Sequence, residues 1–364
     1  AGPSVADGKL VLFHRMAEKE ILDCLDTATG KTLWTASYPA SYKDRFGFDE
    51  GPRAVPTIDN GRVYTNGAAG ILSCTDLKNG KKIWRLDTHA SFKPRESFFG
   101  TACAPLVSGG KVFVQVGGTT GIGAGGKGSG IVAFHSETGK PLWGATSDEA
   151  GYSSPVLGKL AGKTRLVCFT RTGIVILDPG TGNILYEKRW RARIGASVNA
   201  ATPVLANDMV YFSSSYQTGS ICLEASGDSY RELWSGDRIL SSHYSSSIQN
   251  SGYLYGFDGR QEYGTQLRCV SLAGGKIAWS EAQPGEKRFG SGTLILAGDK
   301  LLVMADSGEL ILARVSPKGY SRLGSTAILN DTVRAYPALA GGFFYARSTG
   351  ELVCVDLRKK TGAK

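Results

Sequence analysis

The chain has 364 residues, of which 41% are hydrophobic and 20% charged, with a net charge of +10 from 42 Lys and Arg against 32 Asp and Glu. That composition is globular, with enough apolar residues for a sizeable buried core, and it excludes a disordered or fibrous chain. No apolar run is long enough to cross a bilayer as a helix, and the opening AGPSVADGKLVLF lacks a basic stretch followed by an apolar one, so no targeting segment is legible.

Taken in chain order, PSVADGKLVLF reads as two short strands, and the phrase CLDTATGKTLW (24–34) then turns over a Gly-Lys pair and ends on an indole. It recurs as CTDLKNGKKIW at 74–84. Anchored on the Gly four residues before the aromatic, further copies stand at Gly139/Trp143, Gly182/Tyr186 and Gly275/Trp279. Degenerate copies include CLEASGDSYRELW, which ends on Trp234, and ARVSPKGYSRL, which keeps Gly319 and loses the ring. The last, CVDLRKKTGAK, ends before any Trp. Eight copies result, at intervals of 41 to 59 residues, the repeat length of a four-stranded propeller blade.

The text between anchors is equally regular. In the second repeat AVPTID, GRVYTNG, GILSCTD and KKIWRLD read as strands A to D, joined by turns whose Asn and Gly accept positive φ. The innermost strands elsewhere are ACAPLV, YSSPVL, NAATPVL, YSSSIQ, GSGTLIL and AYPALAG, and no longer segment carries helical periodicity. The expected fold is all-β, an eight-bladed propeller of four-stranded antiparallel blades in one domain spanning 1–364.

In this geometry the repeated residues have structural work. Trp34, Trp84, Trp143, Trp234 and Trp279 share one outer-strand position, where a ring can bury itself between blades and its N–H can meet a main-chain carbonyl. Cys24, Cys74, Cys222, Cys269 and Cys354 share a strand C position filled elsewhere by Ala133, Ile176 and Ala313, a niche for a small buried group. Successive blades hold these cysteines too far apart for disulfides, and no CxxC or CxxCH spacing occurs among the seven, so free thiols and no metal site are expected.

The motif L-x-A/C-x-D-x-x-x-G-K-x-x-W, as in LDCLDTATGKTLW and LSCTDLKNGKKIW, resembles the tryptophan-docking repeat of the pyrroloquinoline-quinone (PQQ) type eight-bladed propellers. That superfamily includes the quinoprotein alcohol dehydrogenases and the BamB-like scaffolds. The chain looks closest to the latter on GPRAVPTIDNGRVYTNGAAG, DEAGYSSPV, NAATPV and YLYGFDG. The resemblance implies a non-enzymatic monomeric scaffold that binds protein or glycan, in the periplasm or secreted, without nucleic acid. The alternative it implies is a dehydrogenase carrying PQQ and Ca²⁺, with Arg53 or Arg334 pairing the quinone carboxylates and Asp148, Glu149 or Asp258 holding calcium or acting as base. Against that alternative, the adjacent cysteine pair usual in alcohol-oxidising quinoproteins is missing from the sequence, and so is an attached haem domain.

Function is sought in unrepeated loops. The residues expected at the channel mouth, just before or at the start of each strand A, are Arg53, Glu96, Asp148, Glu149, Tyr152, Asn199, His243, Tyr244 and Arg334. If the B–C loops share that face, Asp258, Arg260, Glu262 and Tyr263 join them. Any propeller must also satisfy the polar groups around its channel, so the same list arises without a ligand. Three fainter signals remain. The segment GTTGIGAGGKGSG nearly matches a phosphate loop at Gly121, Gly126 and Lys127, but Gly128 replaces the magnesium-binding hydroxyl, and a loop is expected. Trp190, among Lys188, Arg189, Arg191 and Arg193, offers either an anion grip or cover for a strand edge. Blade eight supplies three strands, and the expectation is that residues before Ala1 supplied its fourth, because an open edge invites aggregation.

Overall fold

The computed structural model describes residues 1–44, 46–95, 97–122, 128–281 and 290–358. Their strands form seven four-stranded sheets and one three-stranded sheet, each an antiparallel meander, which makes the eight-bladed propeller read from the repeat. Blade two has strands A to D at Thr57–Asp59, Arg62–Asn66, Ile71–Asp76 and Lys82–Asp87. Its A–B turn sets Asn60 at φ 46° and Gly61 at φ 70°, the left-handed pair that matches the twist of a tight hairpin. Among the described residues helix is confined to one turn at Thr88–Phe92, started by the Asp87 carboxylate accepting from the Ala90 N–H at 2.8 Å, and a 3₁₀ turn at Gln261–Tyr263.

The short inner strands form the ring. Ser4–Ala6 of blade one lies between Thr57–Asp59 of blade two and Ala338–Ala340 of blade eight. Hydroxyls join neighbouring blades along the channel: Ser4 donates to the Pro56 carbonyl at 2.5 Å, Thr57 to Pro105 at 2.5 Å, and Ser246 accepts from the Thr202 N–H at 2.9 Å. These bonds satisfy backbone groups that would otherwise face the channel unpaired.

Between blades the repeat works as a dock. The Trp34 N–H donates to the Leu77 carbonyl at 2.9 Å, Trp84 to Ser136 at 2.8 Å, Trp143 to Pro179 at 3.3 Å, Trp234 to Leu272 at 2.8 Å and Trp279 to Ser316 at 2.8 Å. Each acceptor stands three residues before the turn glycine of the following blade. At Gly80, Gly139, Gly182 and Gly275 a Cβ would lie 2.6 or 2.7 Å from a carbon of the preceding blade's indole, so only glycine lets the ring sit down. The niche opposite each ring is also small: Cys24, Cys74, Cys222 and Cys269 pair across the sheet with Trp34, Trp84, Trp234 and Trp279, and all four cysteines are fully buried. Cys354 departs from the expected buried niche and is exposed, because no strand lies beside it among the described residues. All seven cysteines are free.

Where the ring is replaced, other contacts serve. Tyr186 of blade four meets Tyr230 of blade five at 5.1 Å between centroids, Lys188 pairs with Glu232 at 2.7 Å, and Lys163 and Arg165 both hold Asp228. Trp190 donates to the Gly219 carbonyl at 3.2 Å, so it covers this seam rather than presenting a grip for anions.

Candidate functional site

The D–A linkers and the B–C turns meet on one face. The Gln261 Oε1 of a B–C turn lies 2.9 Å from His243 Nδ1 in the linker before blade six, which brings the two loop classes together there. Two connected sectors result.

The first belongs to the linkers ahead of blades two to five. Arg53 donates to the Phe99 carbonyl at 2.9 Å and to the Asp49 carbonyl at 2.7 Å, and the Tyr152 hydroxyl accepts from the Phe99 N–H at 3.1 Å. Glu149 pairs with Arg171 at 3.0 Å and Arg95 at 3.3 Å, with the Arg171 guanidinium 4.4 Å from the Phe98 ring centroid. Asp148 accepts from the Thr170 hydroxyl at 2.6 Å, and the buried Asn199 amide donates to the Thr170 and Trp190 carbonyls. Burial raises the Tyr152 pKa, so the phenol stays neutral.

The second sector surrounds His243. Its Nε2 lies 2.7 Å from the Tyr216 hydroxyl and its Nδ1 faces Gln261, an arrangement that suits the neutral ring carrying its proton on Nδ1. Burial lowers the His243 pKa in the same sense. Arg260 stacks over Tyr216 at 4.3 Å and pairs with Glu262 at 2.9 Å. Asp258 accepts from the Ser241 N–H at 2.7 Å and pairs with Arg268 at 2.8 Å, while burial raises its pKa. Tyr244 lies beside His243, with ring centroids 5.4 Å apart. Arg334 is exposed, and its charge is felt at both His243 and Tyr244.

Glu96, Gly126 and Lys127 lie outside the described residues. Gly128 leads into strand C at Ser129–His135, so a strand follows the glycine-rich loop where a phosphate loop needs a helix.

The carboxylates named for calcium do not converge. Asp148 serves Thr170, Glu149 serves two guanidiniums and Asp258 serves Arg268, and among the described residues no three His, Cys, Asp or Glu side chains group as metal ligands. These residues do not fit the calcium ligation of the quinoprotein reading.

The feature missed in the sequence is aromatic. Phe46 and Phe48, in the linker after blade one, are 50% and 68% exposed and stack at 6.5 Å. Phe99 from the next linker packs against both, at 5.3 and 6.2 Å. The signal lay in YKDRFGFDEGPR and SFFG, four phenylalanines in stretches that do not alternate like strands. A separate open cleft of about 500 Å³ lies on the opposite face, where Arg62 pairs with Glu137 at 3.0 Å beside Asp59 and His135; none of the candidates lines it.

Comparison with known proteins agrees with this architecture. The structure is similar to BamB from Moraxella catarrhalis at 15% identity and a TM-score of 0.65, with all of both chains covered. It is similar to the quinohemoprotein alcohol dehydrogenase from Comamonas testosteroni at 16% identity and a TM-score of 0.62, covering 94% of this chain and 69% of that one. The computationally designed Ika8 protein matches at 12% identity and a TM-score of 0.63, over 97% of this chain and 94% of that one. At such identities the likeness is one of fold. No curated protein matches the sequence significantly. The model of the family described as outer membrane protein assembly factor BamB matches residues 18–281, well over half the chain, and the protein therefore belongs to that family.

Proposed function

We propose that this propeller is a non-enzymatic scaffold of the bacterial cell envelope that binds a protein or glycan through the D–A linker face. The observation that carries the reading is the division of labour there. The charged candidates are largely engaged with one another or with backbone, whereas Phe46 and Phe48 are offered to solvent as a stacked pair. An exposed aromatic pair on a rigid frame, rimmed by polar groups, is the composition of a recognition surface. Its aromatic faces suit either apolar side chains or sugar rings. The family's description as an assembly factor supports a role in association.

A photo-crosslinking residue at Phe48 in living cells tests the protein arm, with the same residue at Asn60 on the opposite face as control. Adducts at Phe48 alone are expected, and a Phe46→Ala/Phe48→Ala variant removes them. For the glycan arm, array binding should disappear in the same variant. Saturable binding of PQQ with Ca²⁺, accompanied by dye-linked oxidation of an alcohol or sugar, would overturn the scaffold reading in favour of the dehydrogenase.

A further inference from the structure

Three loops of different origin close on one another around His243. Tyr216 lies in the B–C turn of blade five, between the strands Met209–Ser214 and Gly219–Ser226. His243 lies in the linker ahead of blade six, and Arg260, Gln261 and Glu262 form the tip of the blade-six hairpin Tyr253–Arg260 and Gly264–Ser271. Their side chains make a circuit. The Tyr216 hydroxyl donates to His243 Nε2 at 2.7 Å, His243 Nδ1 donates to Gln261 Oε1 at 2.9 Å, and Gln261 Nε2 donates to Glu262 Oε1 at 3.0 Å. Arg260 holds both oxygens of Glu262, at 3.1 and 2.9 Å, and its guanidinium lies 4.3 Å from the Tyr216 ring centroid, which returns the circuit to its start. The donors run in one direction, towards the Glu262 carboxylate, and that order admits one state of His243: neutral, with its proton on Nδ1.

The circuit is closed under strain. Tyr216 and Gln217 stand at φ 62° and 61°, in the left-handed region that a bulky side chain disfavours, so the turn keeps this shape because the contacts of Tyr216 hold it. A proton added to His243 reverses one link. Nε2 becomes a donor, Tyr216 can then only accept from it, and the tyrosine's own hydroxyl proton loses its acceptor. The new charge falls beside Arg260 and within the field of Arg334 from the linker ahead of blade eight. Glu262 is the one carboxylate acting on the ring among the described residues, and it is already engaged by Arg260. The remaining ring neighbours, Tyr216 and Tyr244, are neutral phenols whose pKa values burial raises.

We propose that this circuit is a proton-operated latch: protonation of His243 frees the strained Tyr216 turn from the linker and from the blade-six hairpin, so that this sector of the linker face is closed at neutral pH and opens in mild acid. Burial acts in the same sense as the bonds, because it lowers the affinity of His243 for a proton while the circuit is closed. Below about pH 6.5 each unit of pH therefore favours the open form by up to about tenfold, until the closed form is protonated as well. The latch is independent of what the linker face binds, and its test involves no ligand.

Hydrogen exchange of the whole chain, followed by mass spectrometry at pH 7.5, 6.5 and 5.5 and corrected for the intrinsic pH dependence of amide exchange, reads the latch directly. Two backbone bonds tie the three loops together, from the Ser242 N–H to Ser213 Oγ at 2.7 Å and from the Gly259 N–H to the Ser241 carbonyl at 3.0 Å. Protection of the segments 213–219, 241–244 and 257–264 is expected to fall at least about threefold between pH 7.5 and 5.5, while strand C of blade four, Gly173–Leu177, keeps its protection. His243→Gln retains an acceptor near the place of Nε2 and does not titrate, so it should abolish the fall. Tyr216→Phe keeps the ring and deletes the hydroxyl, so at pH 7.5 the three segments should already exchange faster than in the parent. Unchanged protection in the parent, an equal fall in blade four, or a fall that persists in His243→Gln overturns the proposal. Should the glutamine variant not fold, parent-like protection of Tyr216→Phe at pH 7.5 overturns it equally.

Discussion

At the scale of single residues, burial decides what the charged groups can do. Glu20 is fully buried between blades one and two, accepts from the Ala68 N–H at 2.8 Å through Oε1, and lies beside the Tyr38 hydroxyl. Desolvation raises its pKa above the ordinary 4.5, with the Tyr38 hydroxyl, the Ala68 bond and Arg15 acting the other way. The folded state therefore holds the proton more tightly than the unfolded one. The resulting stabilisation is complete below about pH 4.5 and is lost as pH rises through the raised value. Glu20→Gln keeps the acceptor and removes the charge, so its melting temperature should exceed the parent's at pH 8, with the difference shrinking towards pH 4. An equal difference at both pH values would show that Glu20 is not held protonated. His243 has the opposite sign: burial lowers its pKa below 6.5, and its contribution is present above that value and lost as pH falls.

At the scale of the element, the seam is the unit of design, and paired glycine substitutions can measure it. Gly139 and Gly30 have nearly equal φ, 68° and 72°, so alanine at either carries the same left-handed penalty of about 1–2 kcal/mol. Only Gly139→Ala also drives a methyl group to 2.6 Å from the Trp84 ring, and ejecting that ring costs about 3 kcal/mol or more. Chemical denaturation of the two variants should separate them by roughly that second amount; coincident curves would mean that the indole adds nothing at the seam. This element was legible in the sequence because glycine, cysteine and tryptophan recur at fixed offsets, and each offset has one geometric reason. The linker face was less legible. His243 and Arg260 could be placed at the mouth by topology, but their partners Gln261 and Tyr216 are fixed by how two loops from different blades fold together, which no period encodes. The aromatic pair Phe46 and Phe48 was missed because exposure, not identity, makes it informative.

At the scale of the whole molecule, the ring is a chain of nearest-neighbour couplings, and among the described residues these couplings are unequal. Among the described residues, seven seams carry buried apolar clusters, and five of those also carry an indole dock; between blades eight and one the inner strands Ser4–Ala6 and Ala338–Ala340 are in contact. In such an array local opening begins where neighbour contacts are fewest. Hydrogen exchange followed by mass spectrometry should therefore find the strands Phe343–Arg347 and Leu352–Asp356 exchanging before those of blades two to seven. Slower exchange at blade eight than at blade three would contradict this order.

The docks also have a direction. Every ring reaches forward, to a carbonyl 36 to 52 residues later in the chain, and none reaches back. During synthesis at about 5–20 residues per second, a newly made blade thus waits roughly 2 to 10 s for the turn that will receive its tryptophan. After each of blades one, two, three, five and six the growing end on the ribosome displays one unsatisfied indole, and the polypeptide is assembled like a zip whose teeth close behind the growing end.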